Sequence, residues 1–118
     1  MERVSFQSGE TIFREGDPSD LAYLIVRGSV AIQVGLGPKQ RAVARFGPGE
    51  VFGEMGLIEA GPRSATAVAQ DYTICAAYDA DQLLALLESD PKEAVVFVRT
   101  LVQRLRETNR KLLAIDPT

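Results

Sequence analysis

The run Phe52-Gly53-Glu54-Met55-Gly56-Leu57-Ile58-Glu59-Ala60-Gly61-Pro62-Arg63-Ser64-Ala65-Thr66 lies between two strand-like segments and carries the chain's most specific chemistry. A one-turn helix starting near Gly53 would point backbone amides, and the positive end of its dipole, at a small anion. Glycine at position 53 lets a phosphate approach closely. Arg63 can supply a planar fork of donors to phosphate oxygens, Ser64 a hydroxyl and an amide, and Pro62 stiffens the approach to the arginine. Glu54 would be repelled by a phosphate in direct contact, so its carboxylate suits a hydroxyl on the same ligand. A ribose 2′-OH beside a cyclic phosphate meets both needs.

Upstream of this run, short apolar or alternating segments are separated by Gly, Pro, Asp and Ser at intervals of roughly ten residues, the punctuation of an all-β fold. The spacing predicts strands over Thr11 to Arg14, Leu21 to Val26, Val30 to Val34, Arg41 to Phe46, Ser64 to Ala69 and Thr73 to Tyr78. Leu21 to Val26 is continuously apolar and reads as buried on both faces. Arg27-Gly28-Ser29 reads as a hairpin turn, and Gly35 to Gln40 as a flexible hairpin loop. Glycines 9, 16, 28, 47 and 49 sit mostly at strand junctions, where ordinary turns account for them.

After Tyr78 the period becomes helical. Asp79 with Gln82 forms a capping-box pattern opening a short helix over 79–88. Asp90-Pro91-Lys92-Glu93 repeats the start signal for a longer helix over 91–115. Ala94, Val98, Leu101, Leu105, Thr108 and Leu112 alternate spacings of four and three, which places one stripe against another surface. Thr108 is its polar exception.

The totals fit this reading. A chain of 118 residues, 46 % of them hydrophobic, supports one modest core, so a single domain over 1–118 is expected. The formal charge of -3 argues against a surface that directly binds nucleic acid or anionic membrane. With no histidine, His-based triads and His-ligated metal enzymes are excluded, and a cupin-type β-roll enzyme has no ligand set to work with. A single cysteine, Cys75, precludes a disulfide within the chain and fits a reducing cytoplasm. No apolar run has the length of a membrane span.

The quoted run resembles the phosphate-binding cassette of the cyclic nucleotide-binding domain family: Phe-Gly-Glu, an apolar pair, then Arg-x-Ala-Thr. Gly9-Glu10, Ile12-Phe13, Glu15-Gly16-Asp17, Tyr23-Leu24-Ile25 and Gly28-Ser29-Val30 are similar to that family's first strands and turns, in order. The resemblance implies an antiparallel, jelly-roll-like β-roll of about eight strands over 1–78, then the short helix and a lid helix. It also implies a ligand-sensing module that is not an enzyme and needs no cofactor or metal. The ligand would be a 3′,5′-cyclic nucleotide, with cAMP preferred and cGMP the other candidate.

By the same resemblance, Glu54 would hold the 2′-OH, and Arg63 and Ser64 the cyclic phosphate. Amides near Gly53 and Ala65 would complete a cradle flanked by Phe52, Met55 and Thr66. Leu57 would report occupancy to the helices, and Thr108 and Asn109 of the last helix would meet the base. Thr108 is read equally well as a polar residue that sets helix register. Cys75 reads as a small buried hydrophobe, and Arg104, Arg106, Arg110 and Lys111 as a solvated face. The C-terminal helix is the expected contact for a second copy or an effector protein. A competing reading is an interaction or dimerisation domain of the same shape with no small ligand. The chain begins at the first strand and ends soon after the lid helix, so the resemblance suggests an excised or minimal domain whose effector lies elsewhere.

Overall fold

The computed structural model describes residues 1–35, 37–59 and 61–115, with the side chains of 111–115 outside the description. The chain divides into two compact units, Met1–Leu83 and Leu84–Thr118. In the first unit, strands alternate side chains between a core face and a solvent face, which two stacked sheets can satisfy together. One sheet is ordered β1-β8-β3-β6, from β1 (Glu2–Phe6), β8 (Thr73–Tyr78), β3 (Ala22–Arg27) and β6 (Val51–Phe52). The other is ordered β2-β7-β4-β5, from β2 (Thr11–Phe13), β7 (Thr66–Ala69), β4 (Val30–Val34) and β5 (Arg41–Phe46). Every pairing is antiparallel, so the fold is the expected β-roll of eight strands.

The core is built from Tyr23, Ile25, Val30, Phe52, Ala67, Cys75 and Ala77, with Phe6, Phe13, Ile32 and Phe46 packed around it. Its aromatic centre is a stack of Tyr23 on Phe52, ring centroids 5.2 Å apart, with Phe13 6.0 Å from Phe52. Such offset pairs add to the stabilisation from burial alone.

The expected hairpin at Arg27-Gly28-Ser29 is not formed. β3 and β4 belong to opposite sheets, and the segment between them crosses from one to the other. Gly28, at φ +98°, lies so close to the next loop that a Cβ would stand 2.5 Å from the Tyr72 carbonyl oxygen and the Thr73 hydroxyl. Ser29 donates its amide to the Asp71 carboxylate at 2.9 Å, and the buried Thr73 hydroxyl lies 3.1 Å from the Ser29 carbonyl. A local turn signal reports that the chain bends, whereas the partner strand is chosen by contacts distant in sequence.

β4 and β5 pair as the expected hairpin, with Val34 opposite Arg41 and a short 3-10 turn at Gly37–Lys39, and residue 36 of the Gly35 to Gln40 loop lies outside the described residues. Val26 departs from the doubly buried reading. The β3–β8 register shifts between Ile25 and Arg27, and this bulge leaves Val26 exposed.

Both helix starts follow the sequence. In α2 (Ala80–Ser89) the capping box is reciprocal: the Gln82 amide donates to Asp79 Oδ1 at 2.8 Å and the Asp79 amide to Gln82 Oε1 at 2.9 Å. In α3 (Pro91–Ile115) Asp90 Oδ1 accepts from the Lys92 amide at 3.1 Å. The seam residues Val98, Leu105 and Thr108 are exposed on that helix, and the side chain of Leu112 lies outside the description.

Burial in this core pushes the Cys75 thiol up to about 11, above its ordinary value of 9.0. Below the unfolded value both states hold the proton, and as the pH rises towards the folded value only the unfolded chain ionises, so stability falls. We expect the native thiol to resist a disulfide reagent at neutral pH and to react on unfolding in urea. Rapid modification of the folded protein would contradict its placement.

Candidate functional site

The stacked ring of Phe52 fixes the end of β6 in the core, and with it the position of the next residue. Phe52 thus serves the cassette as its anchor, its side chain 1 % exposed. Gly53 follows at φ +78°, in the left-handed region that glycine enters without strain. Glu54, 4 % exposed, sits at the N-cap of a single helical turn, α1 (Met55–Ile58), and its carbonyl accepts from the Leu57 amide at 3.0 Å. Met55 and Ile58 are exposed on that turn, and Leu57 is half-buried.

The returning chain is held by a segment that the sequence reading left out of the site. Pro18 and Pro62 form an antiparallel bridge; the Arg63 amide donates to the Asp17 carbonyl and the Gly16 amide to the Arg63 carbonyl, both at 2.8 Å. The backbone around Arg63 is thereby paired with residues 16–18 before its side chain makes any contact.

That side chain turns inward and is 3 % exposed. Nη1 donates to the Gly53 carbonyl at 2.8 Å, and Nη2 to the Leu21 carbonyl at 2.6 Å. The guanidinium carbon lies 4.0 Å from the centroid of the Phe13 ring, in cation–π contact. The carboxylate that faces it, Asp20 Oδ1, is 3.5 Å from Nη2 on a side chain 78 % exposed. Nε is buried and has no hydrogen-bond partner among the described residues.

Burial pushes Arg63 below the ordinary arginine value, and the neighbouring Tyr23, Asp20 and Asp17 act in the opposite sense. A guanidinium remains charged throughout the physiological range. The site therefore holds a positive charge out of water, solvated by two carbonyl dipoles and one loosely placed carboxylate. Such a charge favours a further anion, because its own desolvation has already been met by the fold.

The structure revises one role. The missing Cβ of Gly53 makes room for Arg63 itself: a methyl there would stand 2.7 Å from Nη1 and 3.2 Å from the Phe13 ring. The donor fork is committed in part to backbone carbonyls, and Nε is its one nitrogen without a hydrogen-bond partner among the described residues.

Of the remaining candidates, Ser64 is exposed and Ala65 half-buried beside Arg63 in the chain. Thr66 is buried, its hydroxyl oxygen accepting the Glu15 amide at 3.0 Å. Thr108 and Asn109 belong to the helical unit and are exposed, the Thr108 hydroxyl donating to the Arg104 carbonyl at 2.9 Å. Asp20, Leu21 and Phe13 were absent from the sequence-based site. The signal for Asp20 was present in the need of a buried arginine for counter-charge, but nothing local linked Asp17-Pro18-Ser19-Asp20 to position 63.

The chain matches the cyclic nucleotide-binding domain family over residues 3–90, which contain the whole cassette and its clamp. It belongs to that family. Similar proteins include the cyclic AMP receptor protein of Thermus thermophilus, 38 % identical over 94 % of this chain and 52 % of the relative. A CRP-like cAMP-activated global transcriptional regulator of Mycobacterium tuberculosis is 31 % identical over 95 % of this chain and 50 % of its own length. This cyclic nucleotide-binding domain thus spans about half the length of the curated relatives it matches. Among solved structures, the Thermus thermophilus catabolite activator protein superposes with a TM-score of 0.84 at 37 % identity, over 97 % of this chain and 54 % of that one. A cyclic nucleotide-binding domain from Methylobacillus flagellatus gives 0.80 at 32 % identity, over 95 % and 66 %. No helix among the described residues is long and apolar enough to cross a membrane.

The geometry of Gly53 supplies a test. Gly53→Ala meets both a left-handed backbone and an occupied space, so it should destabilise the unit by at least about 1–2 kcal/mol, the cost of αL for an L-residue. Urea unfolding measures it, and a neutral result would contradict the placement of Arg63 against this residue.

Proposed function

We propose that the unit Met1–Leu83 binds a 3′,5′-cyclic nucleotide, cAMP in preference to cGMP, as a sensing module that releases its ligand unchanged. One observation carries this reading: the Arg63 guanidinium is buried, is only loosely matched by Asp20, and keeps a donor in reserve at Nε. The ligand's phosphate meets Arg63 through that donor and the Ser64 hydroxyl, while Glu54 accepts from the ribose 2′-OH. Gly53, Met55, Ala65 and Thr66 line the phosphate and ribose. The output is a changed position of the C-terminal helices. Such a switch needs only that the ligand favour one helix arrangement by its differential contacts. The named relatives support a cAMP ligand, since the two curated proteins above are described by that nucleotide. Whatever effector the helices address, the module itself acts in the cytoplasm.

Calorimetry with cAMP and cGMP on the folded chain tests this directly. Arg63→Ala should cost roughly 3–5 kcal/mol of binding, the scale for removing one partner of a buried charge pair. Arg63→Lys should fall between, keeping the charge without the planar fork. Glu54→Gln should weaken ribose ligands more than 2′-deoxyribose ones. No heat with either nucleotide, or unchanged affinity in Arg63→Ala, would overturn the assignment.

A second reading has its own support. Val95, Val98, Val102 and Leu105 are exposed on α3 at alternating spacings of three and four, the pattern of a helix seam that pairs with a second copy. A pure assembly module would give the same mass by light scattering with and without nucleotide. A sensor would change its assembly or its helix signals on binding.

A further inference from the structure

Helix α1 cannot hold its own position. It has four residues and no side-chain cap, and a single turn is unstable in isolation. Its placement comes from what it rests on, and Gly56 rests on Ser19. A Cβ added at Gly56 would collide with both Oγ and Cβ of Ser19 and would stand 3.0 Å from the Gly61 carbonyl oxygen. Gly56 does not have positive φ, so its lack of a side chain reflects this crowding and not the backbone conformation. The Ser19 hydroxyl is buried and has no hydrogen-bond partner among the described residues, so it stands there as volume.

Ser19 also lies inside the segment that grips Arg63. On one side of it, Asp17 accepts the Arg63 amide and Pro18 bridges Pro62. On the other, Asp20 and Leu21 receive Nη2. One short loop therefore bears on α1 through Ser19 and on the guanidinium through its neighbours.

We propose that Ser19 and Gly56 form a size-matched spacer that sets the distance between the turn carrying Glu54 and the guanidinium of Arg63, and so selects a closed 3′,5′-cyclic phosphate over an open-chain 5′-phosphate. This rests on the cyclic-nucleotide reading above. A cyclic phosphate is tied to its ribose through two ester oxygens, so its anion and its 2′-OH stand at one fixed separation. An open 5′-phosphate turns about single bonds and tolerates a range of separations. Changing the spacer penalises the cyclic ligand more than the open one. Ser19 is a positioning residue here, acting through α1 and the loop.

The experiment compares cAMP and 5′-AMP affinities in the parent, Gly56→Ala, Ser19→Gly and the double variant. In an open helix, alanine for glycine is favourable. Here Gly56→Ala should weaken cAMP about tenfold, the effect of overpacking by one methyl, and 5′-AMP less. The double variant, with the sizes exchanged, should recover the parent's ratio of affinities. Ser19→Gly alone, which opens the contact without overfilling it, should also lower the ratio and serves if Gly56→Ala does not fold. A ratio unmoved in both single variants, or unrestored in a folded double variant, overturns the spacer. A merely structural contact would shift melting temperature while leaving the ratio intact. The Nε–H resonance of Arg63 without ligand gives an independent readout, expected to move in Gly56→Ala and return in the double variant. A parent that binds neither cAMP nor cGMP overturns the functional reading and the selection with it, and the resonance then decides whether Ser19 and Gly56 set the position of the guanidinium.

Discussion

A guanidinium ion inside a small β-roll must be solvated by the protein or it will not stay there. Here the Gly53 and Leu21 carbonyls provide that solvation, the Phe13 ring adds its face, and Asp20 contributes charge from the rim. These contacts come from the residue after β6, from the loop before β3 and from β2, so the arginine ties a strand of one sheet to segments flanking the other. Much of the local architecture follows from this constraint. Gly53 must be glycine because Arg63 occupies the space beside it, and Phe52 must be buried because it sets where Gly53 sits.

The same arrangement connects stability to function. Hydrogen bonds from a charged donor are worth about 1.5–3 kcal/mol each, enough to hold the side chain in one orientation before any ligand arrives. That preorganisation lowers the cost of binding an anion, since the arginine's side-chain entropy has already been lost on folding. The carboxylate nearest to it is mostly in water and 3.5 Å away, so it neutralises the charge weakly. Strength of anchoring and weakness of neutralisation together make a site ready for a phosphate.

Much of the fold could be read along the chain because its signals are local. Arg41 to Phe46 and Thr73 to Tyr78 are strands with the expected ends, since alternation and flanking turn residues act over a few positions. The caps at Asp79 and Asp90 are decided within three residues and formed as expected. Two strands escaped that reading. Val51–Phe52 is too short to show a period, and Glu2–Phe6 is an edge strand whose mostly polar outward residues mask it. The Arg27-Gly28-Ser29 turn was mistaken for a hairpin because a bend carries no label for the sheet that follows it.

By itself, the sequence determined the chemistry available: an arginine, a glutamate and a glycine at fixed spacing around one helical turn, and a family whose cassette has that pattern. Residue type and short-range spacing are local properties, and they survive without coordinates. Only the tertiary structure decided that the Arg63 fork spends itself on the carbonyls of residues 21 and 53, that Asp20 is its counter-charge, and that Ser19 meets Gly56. These contacts join positions some forty residues apart in one case and ten in another, through loops without periodicity. Their partners are chosen by how the two sheets stack, a choice no local pattern encodes.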